Sequence, residues 1–587
     1  MSFLNRVLVP SMFAGVLAGC ASIPAGERAA SSAAESVEIV SVSSSLPWNA
    51  HWTAVRAEEN GYWLAWYADL PELNLSTPDG RVINLVDASD EEQAPSGLAA
   101  AVSGDSVWLA YRNKEPERDV FVRREGARPV EPFGISGDTK ALARLRLHTG
   151  ARGLEALWYG EQLGQENFYN LYYRQVDADG KAVGDAPELI LPGLYPVWVN
   201  DDAGNQGVFS WVKDGQGSRI VSRARKAEER AFGDTVLIRN TTDSMTLPFD
   251  AFISGNRWFV YWIAQHGDLQ DDYLIEGAWS DDHGTTWVPF DLEALRGVGI
   301  ESISVAANGR DIVFAMAVAE RGQARAEFRD VRVVRSQDNG ATWSGAEKLR
   351  RGEAEYARAR APKVSFLDDN RVFVMWEDWR EIRSRIRYAL SEDGGRTWIV
   401  QDARLPVREE KSLLVNLFAH DVIPTGDGGV EVILEEMTDQ YLRKELVSMK
   451  LDLAQLRSPV PDQVPTLDGL KERIAAYWTA LINEEYRKAY NEIDPFFRAR
   501  VDYAEYLQAM GRIEYDAFEI DEIRQEGHLA HVRQRVTAGV PPFFDKGKLV
   551  EVPKWARPVD TTWMWVDGQW VYEYKSDARA GFRFARY

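Results

Sequence analysis

Two short stretches of this chain place reactive side chains directly after aromatic, strand-like runs. One is Tyr111-Arg112-Asn113; the other is Trp376-Glu377-Asp378-Trp379-Arg380. The Glu377–Asp378 pair beside Arg380 can supply a carboxyl group as a general acid, and Arg112 and Arg380 can bind an anion. Trp376 and Trp379 can stack on sugar rings. A structural reading competes with this one. In a chain that is 27% charged, such groups also serve as solvated loop charges or as salt bridges between modules, and such tryptophans as core. Other chemistries find less support. The seven histidines show no His-Glu-x-x-His spacing, and His528 and His531, an odd offset apart on a predicted strand, face opposite ways. Asp177-Ala178-Asp179-Gly180 lacks the later ligands of a calcium loop and reads as a turn. No Gly-x-Ser-x-Gly elbow, phosphate loop or dinucleotide fingerprint stands out. No metal and no cofactor are expected.

The elements that must position Arg112 and Arg380 are read from repeats. The octapeptide Ser-x-Asp-x-Gly-x-Thr-Trp occurs as Ser280-Asp282-Gly284-Thr286-Trp287, Ser336-Asp338-Gly340-Thr342-Trp343 and Ser391-Asp393-Gly395-Thr397-Trp398. Such even spacing marks a modular array whose units stack to bury their faces. Each copy reads as a hairpin turn: Asp accepts hydrogen bonds from the turn's own N–H groups, Gly supplies a positive φ, and Thr-Trp opens the next strand. A second signal is a short apolar-aromatic run at 63–67, 108–111, 154–159, 208–211, 258–262, 312–316, 372–376 and 430–434. Each run fits the second strand of a four-stranded unit, the clearest unit covering 361–405. Worn turns at 76–80 and 177–180 stand where the octapeptide would be. The pattern predicts a mainly β chain: a β-propeller of eight blades, or seven if the terminal units share one, against a usual range of about four to eight.

The octapeptide resembles the Asp box, the bacterial neuraminidase repeat of sialidases and related propellers. The resemblance covers about 280–400 directly. It implies that the boxes are structural turns between third and fourth strands, on the face away from an active site. It also implies that the loops after second strands, which carry Arg112 and Arg380, open on the opposite face, where sites lie. A sialidase would need three arginines gripping the substrate carboxylate, an Asp acid/base and a Tyr nucleophile activated by Glu. The family's Phe-Arg-Ile-Pro signature is missing, and Arg56, the nearest arginine, has none of its context. Sialidases also have fewer blades than the eight units read here.

The N-terminus carries one cation, Arg6, an apolar stretch over 7–16, then Leu17-Ala18-Gly19-Cys20. It is too short for a membrane span, which needs about 20 residues, and reads as a signal peptide over 1–20. Its end resembles a bacterial lipobox, which implies lipidation of Cys20. A second resemblance, Ala21 and not Asp at the next position, implies the outer membrane. Residues 21–45 are rich in Ala and Ser and read as a flexible tether. Cys20 is the only cysteine, so disulfides and cysteine-held metals are excluded. A net charge of −22 argues against nucleic acid and anionic lipid as partners.

The propeller is expected over 46–456, followed by a Pro-rich linker at 457–465. Beyond it Leu467, Leu470, Ile474, Trp478 and Leu481 recur at helical spacing, and alternating strand-like runs follow after Gly511. Helices first and an antiparallel sheet after them predict an α+β domain over 466–587. Its order and its closing Asp567-Gly568 hairpin resemble the nuclear-transport-factor-2-like cone, which implies a module for dimerisation or protein interaction. The function these features suggest is non-catalytic binding of an envelope protein or glycan by the propeller face of a membrane-anchored lipoprotein. The alternative is a glycoside hydrolase of the sialidase-like superfamily, of exo-α-sialidase type.

Overall fold

The computed structural model describes residues 39–574, apart from 43–45, 48–50, 58–60, 68–71, 87–94, 114–118, 151, 163–168, 215–216, 242–243, 266–272, 320–329, 352–357, 407–415, 439–442 and 463. The segment 1–20, with Cys20, and the tether up to residue 38 lie outside the described residues. Among those described, no helix is long and apolar enough to cross a membrane.

Seven consecutive four-stranded antiparallel sheets form blades 1 to 7, over 51–86, 95–134, 139–192, 194–241, 244–291, 299–348 and 359–404. In each blade the strands are laid down in chain order, and the first strand packs against the first strand of the next blade. First strands are therefore innermost and fourth strands outermost. Blade 8 is built differently. Its inner three strands are Asn416–Pro424, Val430–Thr438 and Arg443–Leu451, and its outer edge is supplied by Ile39–Ser41 and Leu46–Pro47. Ile39 pairs with Met449 and Ser41 with Val447, so the start of the described chain clasps the last strand of the propeller. The Trp52 ring lies 4.1 Å from the His420 ring, joining blade 1 to blade 8 and closing the circle. The eight-bladed expectation holds. Ile39–Ser41 falls inside the stretch expected as tether; two β-branched residues among serines suffice for a strand when a complete edge awaits them.

The apolar runs are second strands and form the core, because each is covered on both sides by neighbouring blades. Trp158, Trp258, Trp262 and Trp376 are fully buried. Between blades 6 and 7, Val313 and Ala315 pack against Val372, Val374 and Trp376. Burying each such side chain contributes about 1.5–3 kcal/mol.

The three octapeptides join third to fourth strands in blades 5, 6 and 7. In the middle copy Ser336 donates to Asp338 at 2.8 Å and accepts from the Gly340 N–H at 2.8 Å. The other Asp338 bonds come from the Thr342 N–H at 2.8 Å and hydroxyl at 2.6 Å. Burial pushes the Asp338 carboxyl up, but the Thr342 and Ser336 bonds outweigh it and hold it at about 2. Gly340 has φ +80°, and a Cβ there would lie 2.7 Å from the Phe259 ring of the preceding blade. The turn therefore requires glycine twice over, for its conformation and for the close approach.

Helix α1, Leu453–Arg457, leaves blade 8 with a capping box made by Asp452 and Gln455. The C-terminal part opens with α2 (Leu470–Ile482), α3 (Tyr486–Glu492), α4 (Pro495–Arg500) and α5 (Tyr503–Met510). A four-stranded antiparallel sheet follows: Glu514–Glu526, Leu529–Gly539, Trp555–Val566 and Gln569–Tyr572. Leu470, Ile474, Trp478 and Leu481 of α2 pack on Val532, Val536 and Trp563 of the sheet. The Asp567-Gly568 turn has both φ angles positive, 41° and 85°.

Candidate functional site

Alternating strand direction gives the propeller two faces. The octapeptide turns, between third and fourth strands, define one. The starts of the inner strands and the ends of the second strands define the other, which carries the candidate site. On this face the inner strands of blades 2 to 8 all break register near their start, for example between Ile300 and Ser302, Arg360 and Lys363, and Ala419 and Asp421. A bulge turns the side chains beside it away from the period-two alternation. Ala361, inside the blade 7 bulge, takes φ +46°.

The blade 6 to blade 8 bulges surround Glu377. It pairs in register with Arg360 and is only 5% exposed. Its carboxylate accepts the Ala419 N–H of blade 8 at 3.2 Å. Burial pushes the Glu377 carboxyl up to about 7. The Arg360 charge, the Ala419 N–H and Lys363 oppose that rise, while Glu301 adds to it. Arg360 itself sits 3.5 Å from Glu301. His420 is pushed down to about 4, by burial first and by Lys363 second, with Asp421 opposing. The site thus holds a carboxylic acid that keeps its proton near neutrality, a second carboxylate, two cations and a neutral imidazole.

Aromatic groups continue the site into blade 1. The Trp52 indole donates to Glu435 at 3.2 Å, and Lys444 stands 3.3 Å from the same carboxylate. His51 and Tyr67, opposite each other on the first two strands, stack at 5.1 Å. Burial raises the Tyr67 phenol, and the Arg112 guanidinium opposes it.

The residues singled out from sequence separate here. Glu377 faces the bulges. Asp378, next in the strand and on its other side, is 1% exposed and accepts from Arg380 at 2.9 and 2.6 Å and from Arg350 at 3.0 Å. Burial disfavours the Asp378 carboxylate, but Arg380 and Arg350 more than compensate and hold it far below the usual range. Arg380 also clamps Asp402, at 2.7 and 2.9 Å. The chain of ion pairs runs on to the C-terminal sheet: Arg387 to Glu381 at 2.6 Å, Arg404 to Glu381 and Asp567 at 2.8 Å each, and Arg385 to Asp567 at 2.8 Å. Arg383 pairs with Asp494 ahead of α4. Arg112 donates to the carbonyls of Ala141, at 3.2 Å, and Leu142, bracing the blade 3 bulge. Trp376 and Trp379 are core, and Arg56 lies at the end of its strand on the face of the octapeptide turns, 4.0 Å from Glu431. Glu301, Arg360, Lys363 and His420 carry no motif. The one sequence signal among them is that His420 is one of only seven histidines.

No family model and no curated protein matches this sequence. Among solved structures, a PL25 ulvan lyase bound to -[GlcA(1-4)Rha3S]- is similar, at 14% identity over 63% of this chain and 97% of that chain, with a TM-score of 0.38. A point mutant of the NanB sialidase from Streptococcus pneumoniae is similar at 9% identity over 71% and 94%, with a TM-score of 0.32. An α-L-arabinanase from Penicillium chrysogenum complexed with arabinobiose is similar at 12% over 54% and 94%, with a TM-score of 0.32.

Proposed function

We propose that the propeller is a glycan-active enzyme of glycosidase type, with its site between blades 6 and 8 on the face opposite the Asp boxes and a substrate that carries an anionic group. The observation behind this reading is Glu377, a buried carboxyl raised to about 7 beside Arg360, Lys363 and the Glu301 carboxylate. A buried carboxyl that keeps its proton near neutrality, with a second carboxyl group nearby, is the arrangement used for general acid and base work on glycosides. Glu377 gives its proton to the glycosidic oxygen as the bond from the anomeric carbon to that oxygen breaks. Water adds to the anomeric carbon, and its proton passes to Glu301. Arg360 and Lys363 hold the anionic group, and the Trp52–His420 and His51–Tyr67 pairs offer flat surfaces to sugar rings. In this reading an acyl chain on Cys20 keeps the enzyme at the cell envelope, near its glycan. A thioether-linked lipid mass on Cys20, and release of a Cys20→Ser variant from membranes, check that part.

The test of the activity is release of reducing ends from sialosides and from uronate-containing polysaccharides. Glu377→Gln should lower turnover about 10²- to 10⁴-fold without lowering the melting temperature. Wild-type turnover should fall as pH rises through about 7, where Glu377 loses its proton. Tight glycan binding without bond cleavage would return the assignment to a binding protein, and neither binding nor cleavage would overturn both readings.

A further inference from the structure

Outside the propeller, one feature stands apart. Between the second and third strands of the C-terminal sheet, Phe543–Asp545 and Lys548–Val550 form an isolated two-stranded hairpin. Its turn, Lys546-Gly547, has φ angles of +49° and +78°, the pair that a tight two-residue hairpin loop requires. Pro541, Pro542 and Pro553 stiffen its arms. The hairpin therefore exists before any partner arrives.

Its surface is unlike the rest of the molecule. Phe543, Phe544 at 74% exposure, Leu549 and, in the returning arm, Trp555 at 52% project into solvent. Among the described residues these are the only exposed phenylalanines and tryptophan, although the chain has 23 Phe and 21 Trp. Two exposed lysines, Lys546 and Lys548, flank the tip. The tip reads Phe543-Phe544-Asp545-Lys546-Gly547-Lys548-Leu549, so apolar side chains bracket two lysines and one aspartate in a protein of net charge −22.

We infer that this hairpin is a membrane-surface anchor, and that its partner is a phospholipid bilayer. Phenylalanine, leucine and tryptophan enter the boundary between headgroups and acyl chains, and lysines beside them reach the phosphates. A second copy of the chain would need a complementary apolar recess, whereas a bilayer accepts any protruding apolar tip. The hairpin offers strand edges of only three residues on either side, which also favours insertion over strand pairing.

The test uses the full chain as a Cys20→Ser variant, which removes the only native thiol. A polarity-sensitive dye is placed at Asp545→Cys, or at Glu472→Cys in α2 as a control. Vesicles are phosphatidylcholine with and without a minor share of phosphatidylglycerol. The dye at 545 should shift to the blue on vesicles and be quenched by lipid-borne nitroxide, while the dye at 472 should do neither. Phe544→Ser with Leu549→Ser should lower the vesicle-bound fraction about tenfold or more. A blue shift that follows protein concentration without vesicles, with a dimer in sedimentation velocity, would overturn the proposal in favour of self-association. A dye that stays in water under all conditions would overturn it outright.

Discussion

Glu377 and Asp378 are consecutive and chemically alike, yet the fold gives them opposite states. Successive residues of a strand face opposite ways. Asp378 meets two guanidinium groups and is held as a carboxylate; Glu377 is buried, and burial outweighs Arg360, Lys363 and the Ala419 N–H to hold it as an acid. This has a consequence for stability. The folded state binds the Glu377 proton more tightly than the unfolded chain, where the ordinary value is 4.5. Stability from this group is full below that value and is lost as pH rises to about 7. The difference corresponds to about 3 kcal/mol. Glu377→Gln should therefore raise the melting temperature at pH 8 and leave it nearly unchanged at pH 4.5, measured by calorimetry at both. A variant equally stabilised at both would show that the carboxyl is not buried as an acid. The sequence carried Glu377 only as one of a cluster with Asp378 and Arg380. Nothing in the type or order of these residues says which carboxyl meets the arginines.

At the scale of elements, strand identity was legible and strand irregularity was not. The eight second strands, seven of them carrying aromatics, could be read because they are buried on both sides and so are predominantly apolar. The octapeptide turns could be read because three side chains and a left-handed glycine must coincide to close each one. The bulges escaped notice because their signature is a break in alternation, and a break looks the same as a strand end. Glu301, Arg360 and His420 were missed for that reason. The ion pairs between blade 7 and the C-terminal sheet escaped too, since each partner lies far away in sequence. Asp567 serves two masters, the hairpin turn and the pairs with Arg385 and Arg404. Asp567→Ala should leave two largely buried guanidinium groups without this carboxylate and cost about 3–5 kcal/mol. The thermogram of that variant should show the C-terminal part unfolding before the propeller. If a single unchanged transition persists, the pairs do not hold the two parts together.

At the scale of the molecule, the ring is held shut by the strand Ile39–Ser41 on Arg443–Leu451. Removing residues 1–47 should expose a nine-residue strand edge at Arg443–Leu451, lower the melting temperature and promote aggregation, as followed by light scattering. A circular permutant that joins this segment to the end of blade 8 should restore the monomer. A truncated chain as stable and monomeric as the whole would show that the clasp is dispensable.

That clasp also orders events in time. A ribosome makes the segment at residues 39–41 first, but its seat at 447–449 appears some four hundred residues later; the Ser41–Glu445 bond alone spans 404 positions. At a synthesis rate of about 5–20 residues per second, the first strand waits on the order of 20–80 seconds for its partner. During that interval the ring cannot close, and the long loop it must finally join has its entropic cost already reduced by seven folded blades. The ring is thus kept open until its last blade has been made, and a propeller built this way is committed to its closed form late in its synthesis instead of at the beginning.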